Sequence, residues 1–573
     1  MLDDYESGQT FEENTNSNTS DKFYLKKFEL DEEQKKETII SMASSRKYIF
    51  FLTESHNIFL AKSNTLETIS ESFSLPNPRE KNNFKDHFNK IWVDREGNHC
   101  IIRHNDAIYY FNSELKESFE LDGFRGKEIC AVGLDDRNIE TNTTKYFLAV
   151  DYDNKIYQCC IEVAEGKVKD QIEELTTIFL SDPGLEEEDE LDKKKSKLND
   201  RIYGIKFAHA TNTSIESFEN TCYIIAVTHN RLYQFMGPGL TNFKQIFSRF
   251  EKNPALINDN CKHFPKKGNS IFKVEFDVLY KNEARSIGNN RSKRMDVFNQ
   301  FGWRTDSGYC FGDFVDKNND KSSGVPLELK KFTVIPFQKI TDKGTKIMDP
   351  TPISMVHTFN HIFILYSDCL TVISKLTSNI VYTEYFDTKY EQGDQMIYNE
   401  FSKDKGSLLL SSKNGVELIP LKNENDDIWR DYLDIGDFNR ARSLCNSDEI
   451  RKKINRIDAE KEFKISRLNS VNTYLDSDEK FETICLKYLR EGDLDALKLY
   501  LEMYKTKNIL ADVKNDKKDK DEEKILSEEQ KLQLNLITTW TIEIFLSDPN
   551  STMKEFSALI KEFKKNCRKE LLD

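Results

Sequence analysis

The chain lacks the short motifs by which many enzymes are identified. It contains no GxGxxG or GxxxxGK[ST] nucleotide loop, no GxSxG, no HExxH and no DxDxDG motif. Their joint absence argues against nucleotide, serine-hydrolase, zinc-protease and EF-hand calcium chemistry. We therefore predict that the protein is not an enzyme and has no catalytic residues, no cofactor and no small-molecule substrate.

Metal motifs, long apolar runs and a secretory leader are also missing. The 11 cysteines form no CxxC pair, which argues against the common zinc and thioredoxin-like patterns. No run of about 18 apolar residues occurs, so no segment is predicted to span a membrane. The acidic, polar start MLDDYESGQTFEENTNSNTS is unlike a signal peptide. These features predict a cytoplasmic protein with free thiols and, at most, peripheral membrane association.

Clustered positive charge is scarce. The net charge is −15, and without clustered Lys and Arg we predict no nucleic-acid partner. The most basic stretch, KNEARSIGNNRSKR (281–294), is interpreted as a solvated loop, with contact to acidic lipid headgroups or an acidic helix as the alternative. The acidic run EEEDE (186–190) is likewise interpreted as a solvated insert rather than a site for a basic partner.

Histidines are few, and none is predicted to bind a metal. His357 and His361 are four residues apart, which on a helix would place both beside one ion. In SMVHTFNHIFILY they instead flank a turn between two strands. His99 and His104 lie in another predicted strand and are interpreted as blade residues.

Short β-type runs fill most of the chain. They are rich in Ile, Val, Phe and Tyr and end in polar turn residues, which is the pattern of strands. Clear examples are KYIFFLTE (47–54), HCIIRHN (99–105), KYFLAVDYD (145–153), CYIIAVTHN (222–230) and HIFILYSD (361–368). The 573 residues exceed one ordinary core, so more than one domain is expected.

A hairpin repeats along these runs. An apolar strand, two or three small polar residues and a second apolar strand recur at turns near 56, 105, 153, 229, 306, 367 and 413. A four-stranded propeller blade takes roughly 40–50 residues, and longer gaps fit blades with inserted loops. Seven hairpins predict a seven-bladed β-propeller over 21–423, after a disordered tail at 1–20. A six-bladed ring is the alternative if one hairpin forms no blade.

The apolar period changes from two to 3.6 after about residue 423. In DIWRDYLDIGDFNRARSLC, Ile428, Tyr432 and Ile435 fall near one helical face, and Phe438, Ala441 and Leu444 fall on the next element. The intervening Gly-Asp predicts a helix end followed by an N-cap. FETICLKYLREGDLDALKLYLEMY (481–504) repeats this layout. The pattern predicts the start of an α-solenoid.

The helical part is divided by composition. We predict the first helical hairpins over 424–510, a charged linker over 511–530 and a truncated solenoid continuation over 531–573. QLNLITTWTIEIFLS (533–547) and MKEFSALIKEFKKNCRKELL (553–572) supply the last helices. Trp429 and Trp540 are interpreted as core residues, with anchoring of a partner helix as the alternative.

The stretch DDIWRDYLDIGDFNRARSLCN (426–446) resembles the propeller–solenoid junction of the Pep3/Vps18/deep orange family of class C vacuolar sorting proteins. The family pattern there is W-x-x-Y-L-x-x-G-x-[FY]-x-x-A-x-x-[FYC]-C. Residues that follow it are Trp429, Tyr432, Leu433, Gly436, Phe438, Ala441 and Cys445. The stretches CYIIAVTHNRLYQFMGP (222–238), TPISMVHTFNHIFILYSDCLTVISKLTSNIVYTEYF (351–386) and LITTWTIEIFLS (536–547) are similar to further family segments, in the family's order.

This resemblance implies a fold, a function and partners. It implies a non-enzymatic scaffold subunit of the HOPS and CORVET complexes, which tether endosomal, lysosomal or vacuolar membranes before fusion. The implied partners are other class C subunits, with Rab GTPases and SNARE proteins at the level of the complex. The implied location is the cytosolic face of late endosome, lysosome or vacuole membranes. The seven junction residues are expected to have a structural role.

Two alternatives stay open. One is another propeller–solenoid subunit, of clathrin-like, coatomer-like or intraflagellar-transport type. The other is a propeller enzyme, which would need a convergent polar cluster with shifted pKa values in the central channel.

The chain departs from the family pattern in two places. Family members usually end in a RING with zinc-binding Cys and His, whereas this sequence ends at Asp573 with Cys567 as its last cysteine. We therefore expect no RING zinc site. We also expect KISRLNSVNTYLDSDEK (464–480) to lack the Tyr-rich helical hairpin usual in the family.

Overall fold

The computed structural model divides the chain into two compact units, Met1–Glu424 and Asn425–Asp573. It describes all residues except 1–22, 24, 33, 78–88, 106, 137, 178–200, 211–220, 239–242, 253–260, 264–274, 288–290, 306, 317–326, 342–343, 349, 388, 404, 414, 510–527, 548–555, 562–563 and 565–573.

The first unit contains seven four-stranded sheets, in each of which neighbouring strands are antiparallel. Blade 1 contains Ile39–Ser44, Tyr48–Thr53, Asn57–Lys62 and Thr68–Ser74. Blade 2 contains Lys90–Val93, His99–His104, Ala107–Asn112 and Glu117–Glu120. Blade 3 contains Ile129–Gly133, Thr143–Asp151, Lys155–Ala164 and Lys167–Thr177. Blade 4 contains Gly204–Ala210, Thr221–Val227, Arg231–Pro238 and Cys261–His263.

The remaining blades follow the same order along the chain. Blade 5 contains Phe276–Ile287, Arg291–Thr305, Gly308–Asp316 and Leu327–Ile335. Blade 6 contains Ser354–His357, His361–Leu365, Cys369–Ser374 and Ile380–Tyr385. Blade 7 contains Gln395–Asn399, Ser407–Ser412, Gly415–Pro420 and, as its fourth strand, the early segment Lys26–Lys27. The prediction of a seven-bladed propeller is confirmed, and the six-bladed alternative is wrong.

Blade 7 closes the ring by using both ends of the unit. Lys26 pairs with Leu418 and Lys27 with Glu417 in an antiparallel register. Phe23, just before this strand, is 1% exposed. Its ring lies 5.7 Å from that of Phe363 and 5.1 Å from that of Tyr382, both in blade 6. Closure protects the sheet edges that an open array of blades would expose.

The predicted turns have a common place in the blades. Each of the seven lies between the second and third strands of its blade. The five predicted strands correspond to second strands, which are buried on both faces between neighbouring blades. Apolar side chains of adjacent blades form shared clusters, such as Phe50 and Leu52 of blade 1 with Ile102 and Tyr109 of blade 2. Burial on both faces explains why these strands are continuous apolar runs instead of alternating ones.

A few short elements accompany the blades. Helix α1 (Lys244–Lys252) packs against blade 4 through Ile246 and Phe247, which join its apolar cluster. The others are a two-stranded sheet of Gln338–Ile340 with Lys346–Met348 and 3-10 helices at Gln34–Lys36 and Asp122–Phe124.

The second unit is helical. Its helices are α2 (Ile428–Asp434), α3 (Phe438–Leu444), α4 (Asp448–Ile465), α5 (Arg467–Leu475), α6 (Phe481–Arg490), α7 (Leu494–Tyr504) and α8 (Glu528–Ser547). A π-helical turn, Lys505–Ile509, follows α7, and residues 556–561 are helical. Among the described residues, no helix combines the length and the apolar character that crossing a bilayer requires.

Two sequence expectations are wrong. The basic stretch 281–294 is not a loop, because its described residues continue the first two strands of blade 5. Residues 464–480 do form helix: α4 and α5 meet at Ser466 as a helical pair, and Tyr474 of α5 is buried. The two helices share an apolar core, in which the rings of Phe463 and Tyr474 pack at 6.2 Å.

Other predictions fall on residues outside the described part. These are the tail at 1–20, the acidic run at 186–190, most of the linker at 511–530 and Cys567. The last three residues assigned to the linker, 528–530, belong to α8.

Candidate interaction sites

The predicted junction residues lie in the hairpin of α2 and α3. Gly436 ends α2 with φ +80°, a left-handed conformation that glycine adopts without strain. The Asp437 N–H donates to the Tyr432 carbonyl at 2.8 Å, and the Gly436 N–H donates to the Leu433 carbonyl at 3.0 Å. This pair is a Schellman motif, which satisfies carbonyls at the helix end. The Asp437 side chain then accepts from the Arg440 N–H at 3.1 Å and caps α3.

The same hairpin has a small apolar core. Trp429 is 3% exposed and packs with Ala441, Cys445 and Ile454. The partly buried side chains that surround this core are Tyr432, Leu433, Phe438 and Ile450. All seven predicted junction residues thus lie in one hairpin, six in its apolar cluster and Gly436 at its turn. By contrast, Ile435 and Leu444, which the helical period grouped with them, are exposed.

An ion pair fixes this hairpin to α4. The Arg442 guanidinium donates to Asp458 at 2.7 Å and to Asn455 at 3.0 Å. Asp458 and Asn455 are both buried in α4. Sequence patterns missed this contact because α4 carries no strong apolar periodicity around the two polar residues.

The second Gly-Asp hairpin repeats the first. Gly492 has φ +69°, the Asp493 N–H donates to the Tyr488 carbonyl, and the Asp493 side chain accepts from the Ala496 N–H at 3.0 Å. The core beside it is aromatic, with Phe481, Tyr488 and Tyr500 in contact. Trp540 of α8 packs against this core, its ring 6.4 Å from that of Phe481.

The centre of the propeller is a cavity of 230 Å³ lined by residues from all seven blades, mostly from their innermost strands. Its walls mix apolar side chains such as Ile91 and Met355 with the acidic Glu275 and Asp277.

One mouth of the cavity lies just beyond its lining segments, where blades 2, 3 and 7 pass from their first to their second strands. Tyr280, near the centre of the first strand of blade 5, donates its hydroxyl to Asp136 of blade 3. The guanidinium of Arg95 of blade 2 lies 3.9 Å from the Tyr280 ring centroid and pairs with Glu400 of blade 7 at 2.5 Å. Side chains of four blades thus meet at this mouth. The polar cluster that the enzyme alternative requires exists, but these members are engaged with one another.

Asp94, next to Arg95, is a buried carboxylate beside this mouth. Its Oδ1 accepts from the His99 N–H at 2.7 Å, while its Oδ2 has no hydrogen-bond partner among the described residues. Burial raises the pKa of Asp94 to about 7, with a smaller contribution from the charge of Asp136. The folded protein therefore retains a proton that the unfolded chain releases near pH 3.8.

Asp94→Asn is expected to stabilise the propeller at pH 8 by about 1–2 kcal/mol. It removes a buried charge, and this gain exceeds the cost of leaving the amide NH2 group unpaired. As pH rises from about 4 to about 7, the Asp94 carboxyl loses its proton in the unfolded chain but keeps it in the folded native protein. Over this range the free energy of unfolding of the native protein should fall, relative to the free energy of unfolding of Asp94→Asn. Urea unfolding of both proteins at pH 5 and pH 8, followed by hydrogen exchange of blade 2, measures the difference between their free energies of unfolding. If this difference is the same at both pH values, the raised pKa of Asp94 is contradicted.

A second polar cluster holds the end of the first unit. Glu424 accepts from the Thr358 hydroxyl and lies 2.8 Å from His361 Nδ1. Lys375 donates to the Thr358 carbonyl at 2.5 Å and to Gln300 at 3.0 Å. Burial lowers the pKa of Lys375 to about 7, and the charge of Asp313 opposes this. The cluster ties the last residue of the unit to the first turn of blade 6.

The histidines have separate partners. His357 contacts the Tyr309 hydroxyl at 2.5 Å, whereas His361 contacts Glu424. His99 lies between the Tyr110 hydroxyl and the Glu140 carbonyl, and burial lowers its pKa to about 4. His104 packs against His56, with ring centroids 4.2 Å apart. The described residues contain no group of three or more His, Cys, Asp or Glu placed to hold a metal ion.

Comparison with known proteins gives matches over both units. The Pep3/Vps18/deep orange beta-propeller domain matches residues 21–404, and the first half of the VPS18 alpha-solenoid domain matches residues 425–571. Vacuolar sorting protein 18 of Arabidopsis thaliana is 21% identical over 84% of this chain and 44% of the relative. The vacuolar protein sorting-associated protein 18 homolog of Danio rerio is 24% identical over 80% of this chain and 41% of the relative.

The chain therefore spans about two fifths of the length of these relatives. Among solved structures, the beta-propeller domain of Myceliophteria thermophila Cps50 (Swd1) is 8% identical, covering 69% of this chain and 99% of that one with a TM-score of 0.38. The propeller match alone covers more than half of the chain. The solenoid match covers the helical unit that follows it, so the two matches have the same order as the two units of the structure. The chain belongs to the Pep3/Vps18/deep orange family of vacuolar sorting proteins.

Proposed function

We propose that this protein is a non-enzymatic scaffold subunit of an endosomal, lysosomal or vacuolar tethering complex, acting in vesicle docking before fusion. The observation that carries the proposal is the pair of family matches over residues 21–404 and 425–571. Its partners are other class C vacuolar sorting subunits, with Rab GTPases and SNARE proteins contacted through the complex. It acts on the cytosolic face of the membrane as a peripheral protein.

The structure supports a scaffold role through its surfaces. A propeller and a helical array present broad faces for protein contacts. Several large apolar side chains of the helical unit face solvent, among them Ile465 (80% exposed) and Leu486 (59% exposed). Exposed apolar side chains that lie together on a surface mark sites where partner proteins bind. At the channel mouth, Arg95, Glu400, Tyr280 and Asp136 bind one another, which favours a structural role for this polar cluster.

We propose that the helical unit carries assembly with the class C partner, and the full chain can test this. The double variant Ile465→Asp with Leu486→Asp is expected to reduce co-purification of class C subunits at least tenfold, since it places a charge at each of two exposed apolar positions of the helical unit. Affinity purification of the tagged full chain followed by mass spectrometry measures the partners.

The matched control is Leu115→Asp with Ile139→Asp, which makes the same change at exposed sites of the propeller. It should retain the class C subunits. If the unchanged chain captures no tethering subunit, the proposed function fails. Capture of a coat or ciliary complex would assign the protein to that class instead.

A further inference from the structure

Two histidines from neighbouring blades meet at the turns between second and third strands. His56 lies in this turn of blade 1, and His104 ends the second strand of blade 2. Their ring centroids are 4.2 Å apart and the rings are nearly perpendicular, at 77°. His104 is 1% exposed, whereas His56 is half-buried. The packing of blade 1 against blade 2 thus brings together two imidazoles that are far apart in the sequence.

The side chain of Asn105 lies beside both rings. Its Nδ2 is 3.5 Å from His56 Nε2 and 3.5 Å from His104 Nε2. An amide nitrogen can only donate, so both Nε2 atoms face it as acceptors and direct their lone pairs at one group. The amide hydrogens carry partial positive charge. They therefore stand in the position that a cation bound by the two imidazoles would take.

Asn89 fixes the tautomer and the orientation of His104. The Asn89 Oδ1 accepts from His104 Nδ1 at 3.1 Å and from the Asn105 N–H at 2.9 Å. A carbonyl oxygen can only accept, so Nδ1 carries the proton and Nε2 of the neutral ring keeps its lone pair. Histidines that bind metals generally have this arrangement, in which the other ring N–H donates to a fixed oxygen.

His56 has few hydrogen bonds to hold its ring. Its Nδ1 is buried and has no hydrogen-bond partner among the described residues. The contact of its Nε2 with Asn105, at 3.5 Å, is longer than the usual range for a hydrogen bond. Because no short bond fixes the ring, His56 can turn toward an ion that His104 also contacts.

We propose that His56 and His104 bind a divalent transition-metal ion, which replaces the Asn105 amide between them. Two imidazoles suit zinc, nickel and copper ions, whereas calcium and magnesium prefer oxygen ligands. Metal–nitrogen bonds of about 2.0–2.1 Å require the rings to approach each other while Asn105, whose side chain is exposed, moves out. Water fills the remaining coordination positions. The ion would join the turns of blades 1 and 2, a role separate from partner binding by the helical unit.

Calorimetric titration of the untagged full chain with Ni²⁺ near neutral pH tests this pair. Ni²⁺ is the probe because imidazole suits it, whereas the thiolates of the 11 cysteines would compete for Zn²⁺. His56→Asn removes one ligand and should weaken Ni²⁺ binding by at least about tenfold. The backbone of His56 has φ +65°, a left-handed conformation that asparagine also adopts, so the turn is retained.

Asn105→Asp tests the same site in the opposite direction. It places a carboxylate beside the two imidazoles, which together form the donor set of metal sites with two histidines and one carboxylate. The substitution should tighten Ni²⁺ binding severalfold. A loss of folding cannot produce this result, because an unfolded chain does not hold the three groups together.

His229→Asn is the matched control, because His229 occupies the corresponding turn of blade 4. This variant should retain the native affinity for Ni²⁺. A native chain that binds no Ni²⁺ would overturn the proposal, as would equal affinities of His56→Asn and His229→Asn. An affinity that Asn105→Asp leaves unchanged would also overturn it, because the amide would then lie outside the site of the ion.

Discussion

Replacing Phe23 with alanine is expected to lower the free energy of unfolding of the propeller by about 3–5 kcal/mol, the cost typical of deleting a buried aromatic side chain. Phe23 is buried between Phe363 and Tyr382, immediately before the strand that completes blade 7. The loss should act at the closure of the ring, because the early segment is joined to Gly415–Pro420 by a short pairing. Lys26 and Lys27 pair with Leu418 and Glu417, and the Phe28 N–H donates to the Val416 carbonyl.

Hydrogen–deuterium exchange is the appropriate measurement, since a protein of two units need not unfold in a single transition. Faster exchange is expected first in blades 6 and 7, which the Phe23 side chain joins. Phe359→Ala is the control, because Phe359 is 38% exposed and the substitution is the same. Equal effects of the two substitutions would contradict closure through Phe23.

Trp429→Ala is expected to destabilise the first helical hairpin by about 3–5 kcal/mol. The indole fills the core between α2, α3 and α4, where Ala441, Cys445 and Ile454 surround it. No other large, fully buried side chain in this small cluster can replace it. Amide exchange over residues 428–465 should rise, while exchange in the aromatic core around Tyr488 should change less.

Ile435→Ala tests whether position in the hairpin alone explains the effect. Ile435 lies between the same two helices but is 50% exposed. Its substitution should change stability by about 0.5 kcal/mol or less, as expected for a surface position. A loss comparable with that of Trp429→Ala would show that the hairpin, rather than the indole core, determines stability.

Together, these experiments separate two kinds of contribution to a scaffold. Phe23 and Trp429 act inside their units, so their effects are on folding. The exposed Ile465 and Leu486 lie on the surface of the helical unit, so the effects of changing them are on binding. Loss of partners from a surface variant whose amide exchange is unchanged would assign the contact to that surface.

The local chemistry of the turns made much of the fold predictable. Seven polar turns between apolar strands identified one hairpin in each blade, because a strand buried on both faces must be apolar throughout. Gly436-Asp437 and Gly492-Asp493 identified helix ends, since glycine adopts the left-handed conformation and aspartate caps the next helix.

The wrong predictions have physical causes. The 281–294 stretch was assigned to a loop because charge dominates it, yet its strand pairing continues from a buried blade and its base is fixed by Tyr280. Helices α4 and α5 lie in the helical region predicted over 424–510, but no pattern identified them individually, because α4 is strongly charged. They are stabilised by the burial of Ala459, Val471 and Tyr474 against the next helices, and this burial depends on residues far along the chain.

The sequence by itself determined the number of blades, the change from strands to helices and the family, because each depends on local turn chemistry, apolar period or short motifs. Contacts between residues that are far apart in the sequence were decided only by the tertiary structure. It placed Lys26–Lys27 in blade 7, joined Tyr280 to Asp136 and Arg95, and paired Arg442 with Asp458. Such contacts depend on ring closure and helix packing, which put residues side by side whatever their separation along the chain.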